Sequence, residues 1–275
     1  MSDLGRPQQT DMAHLGRGMH CLYCEAPLDP GLYFCRGCAT PYKSPESVLP
    51  RMRQLRPSTS ELVSMHAPAV GTLFWTYLAV LVGGSLALLL LTDGEAIGLH
   101  VMIMDALLLV TTVFFGVFYW DSLKQQLKRF GFDHWAAWVG LLLLVPLLGL
   151  NYAYHQWVAG LVGMEDAPGL VARLRADGFS EGMLIFFIAV YPAIGEEIAF
   201  RGLIQHWLQV ALKPALAITV AAGLFAGIHL APLSMPILFL AGLLLGWVKW
   251  KTGSLYPAML IHFLHNFAVV QLFDA

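Results

Sequence analysis

The chain has 275 residues, room for one large domain or for one domain with a small accessory. Hydrophobic residues make up 57% and Asp, Glu, Lys and Arg only 12%. That is about half the charged share of a soluble domain, so the composition marks a membrane protein and excludes disordered and collagen-like chains. The formal net charge of −2 offers nothing to a polyanion, and nucleic acid is not expected as a partner.

Residues 1–19 contain no apolar run, so no cleaved signal peptide is expected there and the segment reads as a disordered tail. Next come Cys21-Leu-Tyr-Cys24 and Cys35-Arg-Gly-Cys38, the only four cysteines of the chain. Two CxxC knuckles at this separation can place four thiolates around one tetrahedral Zn2+. Residues 20–43 resemble a zinc ribbon, a module too small to fold without its metal. A disulfide pair or a redox CxxC is the competing reading, and His20 could replace one cysteine as a ligand. Such a ribbon offers a docking surface for a protein partner. Residues 44–68 hold Pro45, Pro50, Pro57 and Pro68 and read as a linker. Arg51, Arg53 and Arg56 precede the first apolar run, which places the amino terminus in the cytoplasm.

From residue 69 to 275 the expectation is an all-α polytopic membrane domain of about seven transmembrane helices. They are expected near 69–91, 97–119, 135–157, 180–211, 215–231, 234–250 and 255–273, since runs near 20 apolar residues match the hydrocarbon thickness. Alternate loops carry Lys124, Lys128 and Arg129, then Lys213, then Lys249 and Lys251. The other loops carry Asp93, Glu95, Glu165, Asp166, Asp177 and Glu181, against Arg173 and Arg175. The basic loops are then cytoplasmic and the carboxyl terminus lies on the opposite side. Ser122 to Phe130 could lie along the interface as an amphipathic helix, and Trp120, Trp135, Trp157, Trp247 and Trp250 read as interface anchors. No internal repeat suggests a duplicated transporter.

Ionisable groups inside spans are costly and usually functional. The fourth span contains Glu196, Glu197 and Arg201, the fifth Phe225 and His229, and the seventh His262, His265 and Asn266. Neighbouring helix residues diverge by about 100°, so the two glutamates divide their roles. Glu197 and Arg201, four apart with the acid first, suit a structural ion pair, which leaves Glu196 for a target across the bundle. Counted from the turn at Lys213, Glu196 and His229 stand at one level, about 25 Å away; counted from the turn at Thr252 and Gly253, Asn266 stands at about 20 Å and His262 at about 14 Å, about 10 Å nearer the cytoplasm than Glu196. His265 reads as a packing or interfacial residue, and Asp105 in the second span as half of a pair with another helix.

EExxxR, FxxxH and HxxxN, in this order on the fourth, fifth and seventh membrane helices, resemble the CAAX prenyl protease and bacteriocin-processing group, the CPBP or Abi intramembrane proteases. The resemblance covers about residues 180–273 and leaves the ribbon aside. It implies endoproteolysis of membrane-associated protein or peptide substrates, which in eukaryotic members are prenylated CAAX proteins. It also implies that Glu196 and His229 activate water while His262 and Asn266 bind the oxyanion. The residues allow a rival chemistry in which Glu196, His229 and His262 ligate a catalytic zinc. A membrane scaffold or immunity-type protein is the non-enzymatic alternative.

Overall fold

The computed structural model describes residues 59–92, 97–163 and 168–273, all within one unit spanning Pro57–Ala275. Their regular structure is helical, with no strand among the described residues. The four cysteines, and with them the expected ribbon and the linker up to residue 58, lie outside the described residues. The helices are α1 (Thr59–Thr92), α2 (Ile97–Phe118), α3 (Trp120–Lys128), α4 (Trp135–Val162), α5 (Leu170–Ala176), α6 (Glu181–Ala211), α7 (Pro214–Ile228), α8 (Met235–Thr252) and α9 (Tyr256–Ala268, prolonged by a π turn to Phe273).

The helix starts and stops follow from local chemistry. Pro214, Pro236 and Pro257 sit in the first turns of α7, α8 and α9, where a missing N–H costs nothing. Gly163 and Gly253 end α4 and α8 in the left-handed conformation, at φ 68° and 64°. Pro68 is no boundary: α1 begins at Thr59 and runs through it, so the last ten residues of the expected linker are helical. A proline removes one backbone bond, and a membrane helix tolerates that where neighbours satisfy the freed carbonyl.

All seven expected spans are helical, and four of them, in α1, α2, α4 and α6, are long and apolar enough to cross a membrane. The other three, α7, α8 and α9, have 15, 18 and 13 residues in regular α-form. α3 forms where the amphipathic stretch was expected. α5 was not foreseen, although Leu170, Val171 and Leu174 at helical spacing, closed by Gly178 at φ 88°, carry its signal.

Two faces can be told apart by contacts between helix ends. On one, the Ser254 hydroxyl donates to the carbonyl of Arg129 at 2.5 Å, and Lys249 reaches Gln209 at 3.3 Å. This basic face gathers Lys128, Arg129, Lys213 and Lys249. On the opposite face the Gly98 amide donates to Asp177 at 2.8 Å, Gln271 meets Glu181, and His155 meets Ser234 at 3.0 Å. Between the faces, α6 forms the centre. Gln126 of α3 and Gln205 of α6 donate to the carbonyls of Gly202 and Gly246 at 2.8 and 2.9 Å. Gly242 of α8 lies so close to Ala222 of α7 that a Cβ there would meet its Cβ at 2.9 Å, the small-residue contact that lets membrane helices approach.

Candidate active site

The site is built where α6 departs from regular α-geometry. Ile185–Val190 and Glu197–Ile204 are π-helical, with the α-helical stretch Tyr191–Glu196 between them. Pro192 contributes to the first departure, because it has no N–H to offer the carbonyl of Ile188 four residues earlier. That carbonyl instead accepts from Nδ2 of Asn266 at 2.9 Å. A proline on α6 thus explains an asparagine on α9.

The two glutamates part as expected. Glu197 is fully buried, and its Oε1 accepts from Arg201 at 2.8 Å and from Nδ1 of His262 at 2.9 Å. Arg201 also donates to the carbonyl of Gly242 at 3.4 Å and lies over the Phe225 ring, 4.2 Å from its centroid. Glu197 therefore has a second partner, His262, besides the expected arginine. Phe225 makes edge contacts with the rings of His229 and His262, at 4.8 and 6.0 Å between centroids, so the FxxxH phenylalanine props both imidazoles.

Glu196 faces the other way. Its Oε2 lies 4.0 Å from Nε2 of His229 and 3.8 Å from Nε2 of His262, and it has no hydrogen-bond partner. The tautomers follow from the opposite ring nitrogens. Nδ1–H of His229 donates to the Phe225 carbonyl at 2.7 Å, and Nδ1–H of His262 donates to Glu197. In the neutral rings both Nε2 atoms then carry lone pairs. Three acceptors converge on one point, and such a point wants a donor between them.

The expected 10 Å offset of His262 is wrong: both histidines are equally near Glu196. The turn from which it was counted is packed against the end of α3: Thr252, Ser254 and Leu255 are fully buried beside the exposed Gly253, and the Ser254 hydroxyl contacts the carbonyls of Arg129 and Phe130, so the turn is no free surface reference for depth. Among the described residues no group of three His, Cys, Asp or Glu side chains is arranged to hold a metal ion.

Glu196, His229, His262 and Asn266 line one cavity of about 410 Å³ whose remaining wall is mostly apolar. Two further residues belong to it whose place the sequence did not reveal. Asp105 of α2 lines the cavity, and its buried Oδ2 has no partner, contrary to the expected helix pair; the nearby Ser85 and His100 hydrogen-bond each other at 3.1 Å. His265 is not mere packing: its Nδ1 donates to Oδ1 of Asn266 at 3.0 Å, and its Nε2 faces the amide of Asn151 at 3.4 Å. Its place beside Asn266 in the sequence was the available signal. The donor from His265 fixes which way the Asn266 amide points and leaves one N–H free of the bond to Ile188.

In comparisons with known proteins, no curated protein and no solved structure matches the chain. Residues 179–268, which hold all of Glu196, Glu197, Arg201, His229, His262 and Asn266 and none of α1 to α5, match the family model described as Type II CAAX prenyl endopeptidase Rce1-like.

Proposed function

We propose that the chain is an intramembrane endopeptidase that hydrolyses membrane-associated peptides with a water activated by Glu196 and His229. The observation that carries this reading is the convergence of the Glu196 carboxylate with two imidazole lone pairs on the wall of an apolar cavity. A water molecule has two hydrogens to give such a point, and buried water is held where two to four polar partners meet. The water oxygen bonds to the scissile carbonyl carbon while its proton passes to Glu196 or His229. The same proton then goes to the leaving nitrogen as the C–N bond breaks.

The carbonyl oxygen becomes an oxyanion and needs donors. Asn266 has one N–H left for it. His262 supplies a second only when Nε2 carries a proton, and Glu197, accepting from Nδ1, fixes the orientation of the ring, so the buried glutamate positions His262 for this task. Glu197 and Arg201 are otherwise the structural pair beneath the site. Were a metal ion bound, Glu196, His229 and His262 would be the residues to hold it, and it would supply Lewis-acid activation of the same water. Structural zinc held by Cys21, Cys24, Cys35 and Cys38 is a separate proposal for the amino-terminal segment, with a protein partner as its target. Seven spans, a cytoplasmic amino terminus and an external carboxyl terminus complete the reading.

The test is a comparison of membrane peptides from cells carrying the native chain and cells carrying Glu196→Gln. New peptide termini that appear only with the native chain are expected. If the two sets are identical while both proteins accumulate, the chain is a scaffold and not a protease.

A further inference from the structure

Each turnover consumes one water and admits one peptide, so the face from which the cavity fills decides which substrates it meets. The cavity is placed asymmetrically. On the face opposite the basic one, its lining includes His100 in the first turn of α2, Leu238 in the first turn of α8, His229 at the end of α7, and Leu170 of α5. Towards the basic face the lining stops at Leu108 on α2, Phe200 on α6 and Phe225 on α7, about 15 Å of helix from their ends, and at Leu245 on α8 and Ile261 on α9, about 10 and about 8 Å from theirs, so no lining residue lies in the first or last turn on that side.

The intervening layer is closed. Glu197, Arg201, Gln205, Leu203, Ile204, Val248 and Leu255 are all buried, and Arg201, Gln205 and Glu197 each make a bond across to α8 or α9, to the carbonyls of Gly242 and Gly246 and to His262. In the other direction a line of polar groups leaves the cavity wall. Asn266 is bonded to His265, and His265 meets Asn151; the Asn151 carbonyl accepts from Nδ1 of His155, whose Nε2 meets Ser234 at 3.0 Å among exposed residues. His155 lies 20 residues beyond Trp135 on α4, which is about 30 Å along the helix and equals the hydrocarbon thickness. Exposed Tyr152 and Trp157 flank it, as exposed Trp135 and Trp138 flank the basic end, so two aromatic belts bracket this helix.

We infer that the cavity takes its water and its peptide from the membrane face opposite the basic loops, the non-cytoplasmic face by the positive-inside rule. Its substrates are then membrane-held peptides whose scissile segment emerges on that side. This rests on the endopeptidase reading, which it narrows. The polar line from Ser234 to Asn266 is the hydrated edge of the entrance, because a peptide stripped of water needs partners for its N–H and C=O groups along the way.

Single cysteines placed in the full chain test this without any turnover. The positions are Ser85 on the cavity wall, Ser234 at the proposed mouth and Lys213 on the basic face. Each variant is treated with a membrane-impermeant maleimide in right-side-out and in inside-out vesicles, and the adduct is located by peptide mass so that native thiols do not interfere. Ser234→Cys and Ser85→Cys should label only in right-side-out vesicles, and Lys213→Cys only in inside-out ones. If Ser85→Cys does not accumulate, His100→Cys reports on the same wall. Labelling of the wall position from the Lys213 side, or from neither side, overturns the access route. Labelling of Ser234→Cys only in inside-out vesicles overturns the non-cytoplasmic assignment.

The peptide comparison with Glu196→Gln separates the two readings. Labelling as expected with no altered peptides means that the protease reading fails while the access route stands. Cleaved segments lying on the cytoplasmic side overturn this inference and leave the protease reading intact.

Discussion

α1 and α6 are both long and apolar, yet the protein uses them in opposite ways. In the most apolar 18-residue stretch of each, 11% of α1 is buried against 44% of α6. α1 turns Leu86, Leu89, Leu90 and Leu91 outward, whereas α6 carries Glu197, Arg201, Gln205 and Gln209 inward. In water, burial sorts residues by apolarity. In lipid the tails are as apolar as leucine, so apolar side chains have no drive to leave them. What draws α6 to the centre is polar groups that cannot face hydrocarbon and must find partners on α3, α8 and α9. The polar residues are thus both the structural adhesive and the chemistry, and single substitutions separate those two roles.

The largest effect is expected at Glu196, which touches the reacting point but bonds nothing that holds the fold. Glu196→Gln keeps the shape and removes the base, so cleavage should fall by about 10²- to 10⁴-fold with unchanged accumulation in the membrane. A peptide-release assay against protein abundance checks this. Loss of abundance in parallel with activity would move Glu196 to the adhesive side of the comparison.

Glu197 and Arg201 should behave conversely. Removing one partner of a buried pair strands the other charge, a cost of about 3–5 kcal/mol, so Arg201→Ala and Glu197→Gln should each lower thermal stability and abundance sharply. The double variant Glu197→Gln with Arg201→Gln strands no charge and should recover part of the stability. It should not recover cleavage, because His262 loses the carboxylate at its Nδ1. Recovery of full activity would show that Glu197 does nothing for His262.

A smaller loss is expected where a neutral clamp holds α6. Gln126 of α3 donates to the Gly202 carbonyl inside the Glu197–Ile204 π segment. Gln126→Leu should cost about 1–3 kcal/mol by leaving that carbonyl unpaired, measured as a shift in thermal unfolding in detergent. Cleavage per folded molecule should hold, since Gln126 does not line the cavity.

These roles were unevenly legible in the sequence. The division of Glu196 from Glu197 followed from helix geometry, because 100° between neighbours forbids a shared target and four-residue spacing gives one of them Arg201. The convergence of the motifs was legible as well, since charges inside spans have few innocent explanations. Depth was not. It was counted from Thr252 and Gly253 as though every turn stood at one level, and the packing of Ser254 against the carbonyls of Arg129 and Phe130 is a tertiary fact that no residue count reveals. The bond from Asn266 to Ile188 was half legible: Pro192 announced a freed carbonyl, but not which side chain would take it. Asp105 escaped because an isolated acid in a span suggests a partner, and here it faces a cavity instead.

The smallest effects should come from leucines, and they test the premise of the comparison most directly. Leu203 on α6 is fully buried, while Leu90 on α1 is 74% exposed. In a soluble protein the buried leucine would lose both transfer energy and packing on truncation. In a bilayer the transfer part falls away, because the side chain leaves one apolar medium for another, and only the cavity it leaves behind is costly. Leu203→Ala should therefore cost about 1–3 kcal/mol, towards the low end of what buried leucines cost in water. Leu90→Ala should stay within about 0.5 kcal/mol, as at any surface position without special contacts. Thermal unfolding of both variants in the same detergent measures the difference. If Leu90→Ala costs as much as Leu203→Ala, the outer face of α1 is covered by protein and not lipid, and the contrast between the two helices would have to be redrawn around a partner on that face.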